Sequence, residues 1–186
     1  MELRSVEELM DLLHACRGAR RTPDRDDEPV DVHEHALQTA ALLRRSRPAD
    51  KELQVAGLVH DIGLLLRPDD ATGHADRAAD AVRPLLGERV SRLVRLHAVA
   101  DRYLAAVSPA PGPSARSASL PARRDWAMTP QEAAAFVRDP MADDALTLRQ
   151  ADEAAKVRGL DAGVLEDWRT VLELVAAGRA RLWAVD

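Results

Sequence analysis

Cysteine is almost missing from this chain. Cys16 stands alone, so no internal disulfide can form, a disulfide-stapled fold is excluded, and a reducing cytoplasm is the expected setting. Aromatics are nearly as scarce, at 3% of residues with one Phe and one Tyr. Sheets favour β-branched and aromatic side chains, whereas much of the 46% hydrophobic content here is Ala, which suits close helix–helix packing. No apolar run approaches the roughly 20 residues of a membrane span, and the N-terminus lacks a signal-peptide pattern. Blocks of one charge are also lacking: the net charge of −5 comes from interspersed acids and bases. That argues against nucleic acid and membrane as partners and leaves a small-molecule substrate. The expectation is a cytoplasmic monomer or small homo-oligomer. Its 186 residues suit one domain over 1–186.

What is present is a series of helix signals. Ser5-Val6-Glu7-Glu8 has the capping-box pattern and opens a first helix through Leu9, Leu13 and Cys16. Asp31-Val32-His33-Glu34 opens a second, to about Arg45, with His35, Thr39 and Leu42 on one face. A third runs from Lys51 to about Leu66, a fourth from His74 to Leu86 with Gly87 as its stop, and a fifth from Glu88 to about Ala105. Residues 106–128 carry four prolines and four serines, and a loop of that length usually serves function. Thr129-Pro130-Gln131-Glu132 restarts helix; another runs from Asp143 or Asp144 to Gly159, and the last from Asp161 to Gly178. No strand survives this reading. The fold class is all-α, a helical bundle.

Leu58-Val59-His60-Asp61-Ile62-Gly63 sets an imidazole beside a carboxylate after an apolar run. Alone the pair is common. Four of the six histidines (His35, His60, His74 and His97) fall in helices or at a helix start, however, and Asp61 and Asp152 join them. Four imidazoles and two carboxylates spread over helices suit a binuclear centre in a bundle, with a bridging carboxylate and open positions. Such a donor set accepts iron, and equally Mn or Mg. His14 and His33 are read as ordinary helix residues; His33 lies two positions from His35 and faces another way.

This His…His-Asp…His…His…Asp order resembles the HD-domain superfamily. Within it, Glu28-Pro29-Val30 followed by Glu34-His35-Ala36-Leu37-Gln38-Thr39-Ala40, the stretch Arg95 to Leu104, Met128-Thr129-Pro130-Gln131-Glu132 and the stretch Leu148 to Lys156 are similar to one branch. That branch is the HD-domain mixed-valent diiron oxygenases of the PhnZ type, which cleave a carbon–phosphorus bond; myo-inositol oxygenase is a more distant relative. The resemblance covers about residues 26–175. It implies that His35, His60, Asp61 and Asp152 hold one iron, and that His74, His97 and the bridging Asp61 hold the other. His74 is the least secure, because the gap from Asp61 looks short. It further implies an Fe(II)/Fe(III) pair with O2 as co-substrate, His60 and Asp61 at the catalytic centre, and oxidation at a carbon bearing a hydroxyl.

Around the substrate the match breaks. Where the phosphonate oxygenases carry a lysine four residues after the fourth histidine, this chain has Asp101; where they carry a second histidine after the His-Asp pair, it has Leu64; and Asp24-Arg25-Asp26-Asp27 lacks their tyrosine. Arg149, Glu28 and a Ser-rich loop (Ser114, Ser117, Ser119) are kept. The resemblance thus implies Arg149, Glu28, Asp101 and Ser119 as substrate-binding residues. A carboxylate in place of the lysine would repel a dianion, by roughly 4 kcal/mol for each unit charge about 4 Å away at an effective dielectric near 20. The expectation is an O2-dependent oxygenase that oxidises and cleaves a small polar substrate bearing an amine, rather than a simple phosphonate. A metal-dependent phosphohydrolase acting on a phosphate ester or nucleotide is the alternative, and a scaffold with a decayed site is a third reading that the intact ligand set disfavours.

Overall fold

In the computed structural model, the described residues are 2–19, 30–67, 73–107 and 128–183. They form α1 (Val6–Ala15), α2 (Val32–Ser46), α3 (Lys51–Val59), α4 (Gly63–Leu66), α5 (His74–Val107), α6 (Pro130–Val137), α7 (Ala142–Ala154), a 3-10 turn (Leu165–Trp168) and α8 (Arg169–Trp183). Among the described residues there is no strand. None of their helices is long and apolar enough to cross a membrane.

Side chains start these helices as the sequence signals require. Ser5 Oγ accepts from the Glu8 amide at 3.1 Å and Asp31 Oδ1 from the Glu34 amide at 2.7 Å. The Thr129–Glu132 box closes in both directions, satisfying amides that the first helical turn leaves without partners. Asp31 Oδ2 also takes the Gly18 amide at 2.8 Å, tying the end of α1 to the start of α2.

Three expected boundaries are corrected and one holds. The third helix does not run unbroken to Leu66: it ends at Val59, and His60, Asp61 and Ile62 form a turn before α4. The expected division between the fourth and fifth helices is present: α5 is two rods, broken where Gly87 takes φ 88° and ψ 178°, a conformation open only to glycine. α7 stops at Ala154 rather than Gly159, because α2 captures the backbone that follows. Gln38 donates to the Val157 carbonyl at 2.7 Å and accepts from the Val157 amide at 3.1 Å, and His35 binds the Ala155 carbonyl. The last α-helix starts at Arg169, not Asp161, behind a 3-10 turn. Asp167 Oδ2 accepts the Val164 amide at 3.2 Å at that entry.

One buried cluster runs from Leu3 on the N-terminal segment through α2, α3, α5 and α7 to Leu172 and Val175 on α8. α2 packs on α3 and α7, and α5 lies across α3, α4, α7 and α8. A smaller cluster of Ala100, Phe136, Ala142 and Ala145 seats α6 against the second rod of α5. Where α2, α3, α5 and α7 meet, the core turns polar.

Candidate metal centre

Each expected ligand reaches this polar centre from a different place. His35 comes from the first turn of α2, His60 and Asp61 from the turn after α3, His74 from the first residue of α5, His97 from its second rod, and Asp152 from the last turn of α7. All but His74 are buried, and the side chain of His74 is 23% exposed. His35, His60 and Asp61 have donor atoms within 4.8 Å of one another, as do Asp61, His74 and His97. Asp61 belongs to both groups. Its Oδ2 lies 3.4 Å from His60 Nε2 and 3.7 Å from His35 Nε2, while Oδ1 lies 3.5 Å from His74 Nε2. Asp152 joins the first group, with Oδ1 3.0 Å from His35 Nε2 and 3.8 Å from His60 Nε2.

The backbone sets the ring tautomers. His35 Nδ1 contacts the Ala155 carbonyl at 2.6 Å, His60 Nδ1 the Gly57 carbonyl at 2.8 Å, and His97 Nδ1 the Val94 carbonyl. A carbonyl oxygen only accepts, so each Nδ1 carries the proton and donates it. In a neutral ring that leaves Nε2 as a lone pair. His35 and His60 nevertheless hold their Nε2 atoms 3.3 Å apart. That separation lets one cation accept both nitrogens. His97 faces His74 across 3.3 Å between Nε2 atoms, and its pKa is pushed down to about 3, first by burial and then by His60. It is therefore a neutral base at pH 7. Four imidazoles, three of them oriented through Nδ1, together with two carboxylates, match a divalent metal, and the carbonyl bonds are the outer contacts that hold such ligands.

Arg149 lies beside this cluster. Its Nε donates to Asp101 Oδ1 at 2.6 Å and its Nη2 to Glu153 Oε2 at 2.9 Å. Nη1 is 3.3 Å from Asp152 Oδ2, yet it is buried without a hydrogen-bond partner among the described residues. Burial pulls the guanidinium pKa down, but Asp152, Asp101 and Glu153 outweigh it and hold it above the ordinary value. A small cavity of about 350 Å³ opens against Leu104, Arg149, Gln150, Glu153 and Ala154.

Asp101, expected with Glu28 to bind the substrate, is paired with Arg149. Glu153 was not singled out from the sequence, although its position four residues after Arg149 on a helix is the spacing at which opposite charges meet. Gln38, three residues after His35, was also passed over. Glu28 and Ser119, with the loop around Ser119, lie outside the described residues. His33 is turned from the centre: its Nδ1 is 2.8 Å from the Leu13 carbonyl, and Arg17 Nε donates to its Nε2 at 3.3 Å. His14 is 3.2 Å from Glu166.

Comparison with known proteins adds a lineage to this geometry. The family model described as HD domain matches residues 32–154, the span that contains all six clustered side chains. The chain is 34% identical over 158 residues to a hydroxymethylphosphonate dioxygenase of Gimesia maris, covering 79% of this chain and 78% of that protein. It is 29% identical over 139 residues to the glycine-betaine-forming 1-hydroxy-2-(trimethylamino)ethylphosphonate dioxygenase of Leisingera caerulea, covering 69% of this chain and 70% of that one.

Proposed function

We propose, starting from the fact that this chain belongs to the HD-domain family and is an oxygenase of it, that it uses a pair of iron ions and O2 to oxidise and cleave a small hydroxyphosphonate. In this reading His35, His60, Asp61 and Asp152 hold one ion, and Asp61, His74 and His97 the other. The single observation that carries it is Asp61, whose two carboxylate oxygens face two separate sets of imidazoles. When bound, the ion pair supplies redox capacity and open coordination positions. The rest is the work of the chain. Three backbone carbonyls keep the rings aimed. The buried Nη1 of Arg149 offers an N–H to an anionic substrate oxygen, a charge-assisted bond. Asp101 and Glu153 hold the other two corners of that guanidinium in place.

Both relatives are named for phosphonates, and one of them for forming glycine betaine. The corresponding reaction here breaks the carbon–phosphorus bond, leaves the hydroxylated carbon as a carboxylate and releases phosphate, with both atoms of one O2 taken up. The pairing of Asp101 with Arg149 removes the main objection to a phosphonate. A lone carboxylate would repel a dianion, whereas a carboxylate bound to a guanidinium does so only weakly, because the two charges largely cancel. A single buried core links residues from Leu3 to Val175, which supports one domain over the chain.

The test is turnover of anaerobically iron-loaded protein with hydroxymethylphosphonate and with 1-hydroxy-2-(trimethylamino)ethylphosphonate. The expected result is one phosphate released per O2 consumed with at least one of them. Hydrolysis of a phosphate ester with Mn or Mg and no O2 uptake would assign the protein to the phosphohydrolases instead.

A further inference from the structure

We propose that Gly63 is a positioning residue for one half of the centre. Its missing side chain lets the first turn of α5 close on the His60–Ile62 turn, and this closure brings His74 to Asp61. The inference rests on the two-ion reading above.

Gly63 is buried at the start of α4, two residues after Asp61. A Cβ there would run into the His74 carbonyl oxygen, 2.8 Å from the His74 carbonyl carbon and 3.0 Å from the Ala78 amide nitrogen. These obstacles are backbone atoms of the α5 first turn, so no rotamer change relieves them. The same contact is clasped from the other side: Arg77, also in that turn, reaches the Gly63 carbonyl with Nε at 3.4 Å. His74 is the ligand whose own backbone forms the contact. The other five reach the centre by different routes. His35 and Asp152 come from α2 and α7, His60 and Asp61 precede Gly63 in the turn, and His97 lies beyond the Gly87 break, anchored to Val94.

A methyl group at position 63 must therefore displace the α5 first turn, by something on the order of 1 Å if ordinary van der Waals contact is to be restored. Metal–ligand distances tolerate about 0.2 Å. Displacement on that scale removes His74 as a donor and leaves the His35–His60–Asp152 side standing.

Gly178 provides the contrast. It lies on α8, and a Cβ there would meet nothing within 4 Å, so Gly178→Ala should leave both ions bound.

The experiment is an anaerobic Fe(II) titration of the full chain by calorimetry, with metal analysis after desalting and circular dichroism as a check on the fold. It compares wild type, Gly63→Ala, Gly178→Ala and His74→Ala. Wild type and Gly178→Ala should bind two ions. Gly63→Ala should keep the wild-type helical signal and match His74→Ala, with one tight ion and a second weakened at least 10- to 100-fold. The inference is overturned if Gly63→Ala binds two ions at wild-type affinity, loses both, or loses its helical signal, since each outcome denies a route through His74 alone. Loss of the second ion in Gly178→Ala would overturn it as well. A wild type that binds a single ion would instead remove the two-ion reading, and that result is separately visible.

Discussion

His97 shows how much one side chain is set by its surroundings. Its Nδ1 proton goes to the Val94 carbonyl, and burial with His60 beside it pushes the pKa down to about 3 from an ordinary 6.5. In metal-free protein the unfolded chain then binds a proton that the folded chain does not. Stability contributed by His97 is full above about pH 6.5, and it falls as pH drops from there toward 3, by an amount on the order of 5 kcal/mol at most. Urea midpoints of metal-free protein should therefore fall from pH 7 to pH 4.5, and His97→Gln should flatten that slope. An unchanged slope would contradict the burial argument. At Arg149, removal of the guanidinium takes away a charge-assisted bond worth about 2 kcal/mol, so Arg149→Ala should raise the phosphonate KM roughly 30-fold. Asp101→Asn should lower KM, because it returns charge to Arg149 while keeping a hydrogen-bond acceptor; a raised KM would mean that Asp101 contacts the substrate directly. The sequence shows Arg149 three residues before Asp152, since helical spacing is local. It could not show that Asp101, 48 positions away, is the partner of Arg149, because that pairing exists only once α5 and α7 have packed.

The capped helix starts were legible, and the ends of α3 and α7 were not. Ser5, Asp31 and Thr129 cap their helices from their own sequence neighbourhood. The ends depend on distant captors. α7 stops where His35 and Gln38 take the backbone at Ala155 and Val157, and α3 stops so that His60 and Asp61 can turn into the centre. Gly87 was readable as a break because no other residue adopts its backbone angles without strain. Arg89, just beyond that break, was not singled out. Its Nη1 and Nη2 donate to both Asp50 oxygens at 2.7 Å, with Glu52 at 3.2 Å and Asp144 at 2.9 Å. Arg89, through its hydrogen bonds and charge, holds the Asp50 carboxyl below the usual carboxylate range. Arg89→Leu leaves three partly exposed carboxylates facing one another across α3, α5 and α7. It should cost about 1–3 kcal/mol in urea unfolding with no change in bound metal. A loss of metal would show that this clamp also sets the centre.

At the scale of the molecule, the bundle brings to one point side chains from residue 35 to residue 152. The all-α class and the six-residue set were legible because both rest on composition, spacing and a recognisable order of residues. The substrate pocket was less so: Glu28 and Ser119 lie outside the described residues, and the partner of Asp101 is set by a tertiary contact. Family membership and an oxygenase lineage agree with a centre in which one carboxylate faces two imidazole sets. The account stands on that centre holding two coupled irons. The most direct measurement is electron paramagnetic resonance of protein loaded anaerobically with Fe(II) and partly oxidised, before and after addition of hydroxymethylphosphonate. The account predicts about two irons per chain and a signal from a coupled Fe(II)/Fe(III) pair that changes with the phosphonate. One iron per chain, with only an isolated Fe(III) signal indifferent to the phosphonate, would contradict it.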